Sequence, residues 1–192
     1  MKIVVIAGGI GSGKSVVSRI LRTMGYKVYD CDSNAKRLMN ESDELKSALK
    51  EKLGEQTYNA EGKLNREYIS SKVFNDAKAL ATINAVVHPA VTKDLREWAE
   101  KTGEDCVWVE TALPHESRID EIAYRIWKVT APEDVRIERV MKRSGLTANE
   151  IKERIRNQAK EDVASDKDRI IVNDGKTALL PQIVRENEAL KK

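Results

Sequence analysis

The chain has 192 residues, 41% of them hydrophobic and 34% charged, with a net charge of +3. This length and balance suit an enzyme-sized globular core with attached subdomains and exclude a disordered or fibrous chain. The small basic excess, with no basic stripe interleaved with aromatics, argues against a nucleic-acid partner. Two cysteines, Cys31 and Cys106, make no disulfide framework and suit a reducing compartment.

Lys2 leads straight into a short apolar run, so no signal peptide or membrane span is expected, and the cytoplasm is the expected compartment. That run, residues 3–7, is continuous and rich in β-branched side chains, as in a strand covered on both faces within a parallel sheet. A glycine-rich turn follows. Val17, Ile20, Leu21 and Met24 then fall on one face of a helix that ends at Gly25. Residues 26–30 read as a second strand. From Ser33 to Glu104 no convincing strand occurs; the pattern predicts helices over 38–53, roughly 66–74, and 77–102, closing at Gly103. A crossover between parallel strands normally needs one helix, so this stretch reads as an inserted helical subdomain. Further strands are predicted at 106–110, 123–130 and 169–173. Pro132, followed by Glu133 and Asp134, marks a helix start, and Thr147-Ala148-Asn149-Glu150 has the form of a capping box. Residues 142–168 are highly charged with few apolar anchors, which fits either a mobile lid or a solvated pair of surface helices. Strands alternating with helices define an α/β fold with right-handed crossovers.

Gly8-Gly9-Ile10-Gly11-Ser12-Gly13-Lys14-Ser15 fits G-x-x-x-x-G-K-[ST], with a buried strand before it and an amphipathic helix after it. Glycines let backbone N–H groups converge on phosphates, and the helix N-terminus adds its positive end. Gly9, Ile10, Gly11, Ser12, Gly13, Lys14, Ser15 and Val16 are therefore expected to bind ATP. Lys14 is expected at the β- and γ-phosphates and the Ser15 hydroxyl on Mg²⁺. No Asn-Lys-x-Asp segment is present to read guanine, and no Asp-x-x-Gly follows the second or third strand, which argues against a GTPase switch.

Ligands of open α/β sheets bind beyond the carboxyl ends of the strands. Asp30 and Asp32 end the second strand. Asp32 also stands just before a predicted helix, so it is either a general base or an N-cap. Glu110 ends the third strand, either holding Mg²⁺ through water or as a solvated strand-end charge. These residues alone leave open a kinase for some small molecule or nucleotide, and a P-loop ATPase that works on a protein partner.

The chain resembles the dephospho-coenzyme A kinase family over nearly its whole length. The resemblance rests on the 8–15 loop; on Val28-Tyr29-Asp30-Cys31-Asp32 with Ala35-Lys36; and on Ile83-Asn84 leading to His88-Pro89. It continues in Ala131-Pro132-Glu133 with Arg136, Arg139 and Arg143, and closes at Ile171-Val172-Asn173-Asp174-Gly175. It implies ATP-dependent phosphorylation of the 3′-hydroxyl of dephospho-CoA, with no obligate protein partner. The implied fold is a P-loop core with a five-stranded parallel sheet over 1–33, 104–141 and 169–192. A helical CoA-substrate domain over 34–103 and a lid over 142–168 complete it. By position, Asp32 matches the catalytic aspartate, and Asn84 and His88 match the region receiving the CoA substrate. His88 precedes Pro89 and can equally end one helix and open another. Arg139 and Arg143, four residues apart, are expected to close over the phosphates, with Arg143 the stronger candidate. Asn173 and Gly175 match the loop near the adenine. After the third strand the chain departs from the family: Pro114 and His115 replace apolar residues, which bears on the acceptor pocket.

Overall fold

The computed structural model describes residues 1–159 and 163–191. The apolar run at the start becomes β1 (Lys2–Ala7), with Ile3 to Ala7 all buried. It lies at the centre of a five-stranded sheet, between β3 (Cys106–Glu110) and β4 (Arg125–Thr130). Beyond these stand β2 (Val28–Asp30) on one edge and β5 (Asp168–Val172) on the other, giving the order β2-β3-β1-β4-β5. The recorded pairings are parallel: Ile6 stands opposite Glu110, Ala7 opposite Lys128, and Thr130 opposite Val172. The parallel five-stranded α/β core is therefore as the sequence predicts. The second strand is shorter than residues 26–30 and begins at Val28, although the Lys27 carbonyl already accepts from the Trp108 N–H of β3 at 3.0 Å.

The chain divides into two compact units, Met1–Tyr29 with Gly103–Lys192, and Asp30–Thr102. In the first, α1 (Lys14–Thr23) buries Val17 and Leu21, and α9 (Leu179–Ala189) buries Ile183. These join Val4, Ile6, Trp108, Trp127 and Ile171 in one core. Trp108 and Trp127 meet edge to face with centroids 6.5 Å apart, a favoured aromatic geometry. The short helix α6 (Ile119–Ile122) precedes β4. After β4 come α7 (Glu133–Ser144) and α8 (Ala148–Gln158). The predicted capping box forms at α8: the Glu150 N–H donates to Thr147 Oγ1 and the Thr147 N–H to Glu150 Oε2. Residues 160–162 of the expected lid lie outside the described residues.

The second unit is helical: α2 (Cys31–Glu41), α3 (Asp43–Leu53), α4 (Arg66–Asn75) and α5 (Ala77–Thr102). The single helix expected over 38–53 is two. The backbone turns extended at Ser42, whose hydroxyl caps α3 by accepting from the Leu45 N–H at 3.2 Å. Asp32 does not stand before a helix either. The helix begins at Cys31, Asp30 is its N-cap through the Ser33 N–H at 2.9 Å, and Asp32 lies in the first turn. Pro89 neither ends nor opens a helix: α5 runs through it for 26 residues, although proline removes one main-chain hydrogen bond. Arg37 of α2 donates from Nη2 to both carboxylate oxygens of Asp94 on α5 at 2.7 Å. The Tyr58 hydroxyl donates to the Met39 carbonyl at 2.7 Å, and burial pushes its phenol up to about 12. No helix among the described residues is long and apolar enough to cross a membrane.

Candidate active site

The loop between β1 and α1 is held open by its glycines and gripped from both ends. Gly13 is the N-cap of α1 with φ +98°, a conformation that glycine adopts without strain. A Cβ there would overlap the Asn173 carboxamide. Asn173 follows β5 and is buried. Its Nδ2 donates to the Ser12 carbonyl at 2.8 Å, and its own N–H donates to the Thr130 carbonyl at 2.8 Å. Arg139 of α7 closes the group, Nη1 donating to the Asn173 carbonyl at 2.9 Å and Nη2 to Oδ1 at 3.4 Å. Gly175 lies in the next turn, 3.9 Å from the Arg139 guanidinium measured from its ideal Cβ position. That turn is fastened by Asp174, whose carboxylate accepts from the N–H groups of Lys176 at 2.9 Å and Thr177 at 2.7 Å. Those bonds hold the Asp174 carboxyl below its usual range, the Thr177 N–H contributing most.

The other end of the loop meets different partners. Lys14 Nζ donates to the Gly8 carbonyl at 2.7 Å. Arg136 Nε donates to the Ile10 carbonyl at 2.9 Å, and the Ile10 N–H donates to Gln158 Oε1 at 2.7 Å. A Cβ on Gly9 would run into the Arg136 guanidinium. Beside this end lies a cleft of about 240 Å³, lined by Gly8, Gly9, Ser12, Thr130, Arg136 and Gln158. Main-chain N–H groups at a helix N-terminus, an ammonium and a guanidinium make a strongly anion-favouring surface.

Other residues expected at the site fall as follows. Ser15 and Val16 are exposed on the first turn of α1. Glu110 is half-buried at the end of β3, opposite Ile6 of β1. Arg143 is exposed, one turn beyond Arg139 on α7. Asp32, Asn84 and His88 belong to the second unit. Asp32 is exposed, and Asn84 and His88 are half-buried and share one face of α5 through their spacing of four. Pro114 lines the cleft, whereas His115 turns to Asp120, Nδ1 to Oδ2 at 2.7 Å. Two loop contacts were given no role from sequence, Arg136 and Gln158. The available signal for Gln158 was its place on the α8 face of Ile151 and Ile155, where an amide interrupts an apolar stripe.

A parallel sheet whose central strand feeds a glycine cradle and then a helix N-terminus defines a P-loop nucleotide-binding protein. Residues 2–178 match the family model described as dephospho-CoA kinase, and the chain belongs to that family of ATP-dependent kinases. It is 36% identical over 188 residues to a dephospho-CoA kinase of Porphyromonas gingivalis, covering 97% of this chain and 93% of the relative. A crystal structure from Thermus thermophilus is 31% identical with a TM-score of 0.78, over 98% of this chain and 95% of the other. A dephospho-CoA kinase from Campylobacter jejuni shares the fold at 22% identity and a TM-score of 0.67, over 99% and 98% of the two chains.

Proposed function

We propose that this chain transfers the γ-phosphoryl group of ATP to the 3′-hydroxyl of dephospho-CoA, giving CoA and ADP, the final step of coenzyme A biosynthesis. The 8–15 cradle, with Asn173 packed where a Gly13 side chain would stand and Lys14 at the Gly8 carbonyl, supports ATP as the donor, and the family match over residues 2–178 supports dephospho-CoA as the acceptor. Main-chain N–H groups beside an ammonium suit the phosphate chain of a nucleotide. A single hydroxyl, that of Ser15, stands exposed at the start of α1. Among the described residues no cluster of three or more His, Cys, Asp or Glu is placed to hold a metal. Mg²⁺, which usually keeps water and phosphate ligands, would then be held by Ser15, with Glu110 reaching it through water. When bound, it offsets charge on the phosphates.

In this reading Asp32 accepts the 3′-hydroxyl proton as the 3′-oxygen bonds to the γ-phosphorus and the bond to the β–γ bridging oxygen breaks. Lys14 offsets charge on the β- and γ-phosphates. Arg139 fixes the Asn173 and Gly175 loop beside the nucleoside, and Arg143 folds over the phosphates from a lid spanning 142–168. Asn84 and His88 receive the acceptor within a helical substrate domain over 34–103. Phosphoryl transfer is loose, so placement and charge neutralisation contribute more than the base. A small-molecule reaction of this kind belongs in the cytoplasm and needs neither nucleic acid nor an obligate protein partner.

The test is ADP release from ATP and Mg²⁺ with dephospho-CoA, AMP, GMP, CMP, shikimate, gluconate or no acceptor. A rise with dephospho-CoA alone, with CoA as product, is the expected result. A rise with another acceptor instead would overturn the acceptor assignment, and acceptor-independent hydrolysis would point to a partner-binding ATPase.

A further inference from the structure

We infer that Gln158 is a γ-phosphate-binding residue that selects ATP over ADP. This rests on the reading of the 8–15 loop as the triphosphate site. The loop has two ends of different character. Gly13, at the N-terminus of α1, faces Asn173 and Arg139, the group assigned to the nucleoside side. Lys14 extends the other way, its Nζ bonded to the Gly8 carbonyl at 2.7 Å. The P-loop lysine reaches the β- and γ-phosphates, so the Gly8 to Ile10 end is the γ end.

Gln158 stands at that end. Its Oε1 accepts from the Ile10 N–H at 2.7 Å and lies 3.3 Å from the ideal Cβ position of Gly9. The main-chain N–H can only donate, so the atom facing it is the carboxamide oxygen. The bond therefore fixes which way the amide is turned. Gln158 also lines the cleft beside Gly8, Gly9 and Ser12, and with Oε1 on the Ile10 N–H its Nε2 keeps two N–H donors to offer a phosphate oxygen.

The placement of Gln158 is supported along the chain. Ile151, seven residues earlier, is fully buried and anchors α8. Ile155 lies between them on the same face and lines the cleft as well. At 3.6 residues per turn, a spacing of seven returns to nearly the same direction, so the anchor that seats α8 also aims Gln158. The Thr147–Glu150 capping box fixes the start of the helix. A neutral amide suits this position, because it donates to the phosphoryl oxygens without adding a charge that would have to be desolvated when ADP remains.

The test compares Gln158→Glu and Gln158→Leu with the parent chain. Glutamate retains an oxygen for the Ile10 N–H and replaces both donors with a second, anionic oxygen; leucine removes acceptor and donors together. Calorimetric affinities for Mg²⁺ with the β,γ-imido analogue of ATP, and for ADP, separate the roles. Gln158→Glu is expected to weaken the analogue by roughly ten- to a hundredfold while leaving ADP affinity and the thermal midpoint unchanged. Equal weakening of both nucleotides would make Gln158 a strut of the loop and overturn the inference, as would unchanged binding of both. The readout does not involve the acceptor. If the parent chain binds both nucleotides yet makes no CoA, only the acceptor assignment falls and the affinity ratio still decides Gln158. If it binds neither, the phosphate-loop reading and this inference fall together.

Discussion

Arg139 holds Asn173 by two of its oxygens, donating to the main-chain carbonyl at 2.9 Å and to Oδ1 at 3.4 Å, while Asn173 Nδ2 donates to the Ser12 carbonyl at 2.8 Å. A helix outside the sheet is thereby tied, through one buried carboxamide, to the loop that follows the central strand. Asn173→Ala removes the donor and leaves the Ser12 carbonyl buried without it. A loss of about 1–3 kcal/mol in urea unfolding is expected, together with a raised KM for ATP. Unchanged stability and an unchanged KM would show the contact to be dispensable.

Asp32 sits in the first turn of α2, and the capping of that helix is done by Asp30. Substituting Asp32 should therefore leave the cap intact. Asp32→Asn is expected to lower kcat by roughly 100-fold, the low end for a general base, with the KM for ATP and the thermal midpoint held. A fall in the midpoint without a fall in kcat would make Asp32 a structural residue.

Lys128 and Asp168 pair at 2.9 Å across β4 and β5, with side chains only 12% and 14% exposed. The Lys128 ammonium also donates to the Val163 carbonyl at 2.6 Å. Lys128→Ala leaves a largely buried carboxylate with the Ser165 N–H at 2.9 Å but without its counter-charge, and a loss of about 3 kcal/mol is expected. Combining Lys128→Met with Asp168→Leu should recover part of it, because two apolar side chains leave no charge to desolvate although the Val163 carbonyl and the Ser165 N–H lose a partner. A double variant as unstable as the single one would locate the loss elsewhere.

The Asp174 carboxyl is held below its ordinary value by the N–H groups of Thr177 and Lys176. The folded state binds its proton less readily than the unfolded chain does, so the contribution to stability is fully present above the unfolded pKa. It is lost as pH falls through the lower folded pKa. The turn beside Asn173 and Gly175 should keep its structure through neutral and mildly acid pH and loosen only below the ordinary carboxylate range. Amide exchange at Lys176 and Thr177, followed against pH, reads this directly. Asp174→Ala should abolish that acid transition, and protection that persists in the variant would reassign it.

The parts legible in sequence were those set by local pattern. The apolar run that became β1, the glycine-rich loop and the α1 face from Val17 to Met24 carry strand, turn and helix signals within a few residues. The long α5 was legible through its periodicity even with Pro89 inside it. The break at Ser42 was written in Ser42-Asp43-Glu44, a capping serine followed by acids, but an unbroken helical pattern on either side hid it. The shift of the cap from Asp32 to Asp30 came from a helix starting directly at the end of a strand, with no intervening loop to announce it. Arg136 and Gln158 lie far along the chain from Ile10, and what brings them to it is the packing of α7 and α8, which local propensity does not encode.

The position of β1 constrains how this chain can be made. Both strands that flank it, β3 and β4, come from beyond the helical insertion, so β1 is synthesised well before its neighbours. Residues 30–102 make their contacts locally and emerge from the ribosome as a complete unit, whereas the sheet assembles only once its distal strands exist. Until they emerge, the five residues Ile3 to Ala7, all buried in the folded chain, are an apolar strand without its flanking partners.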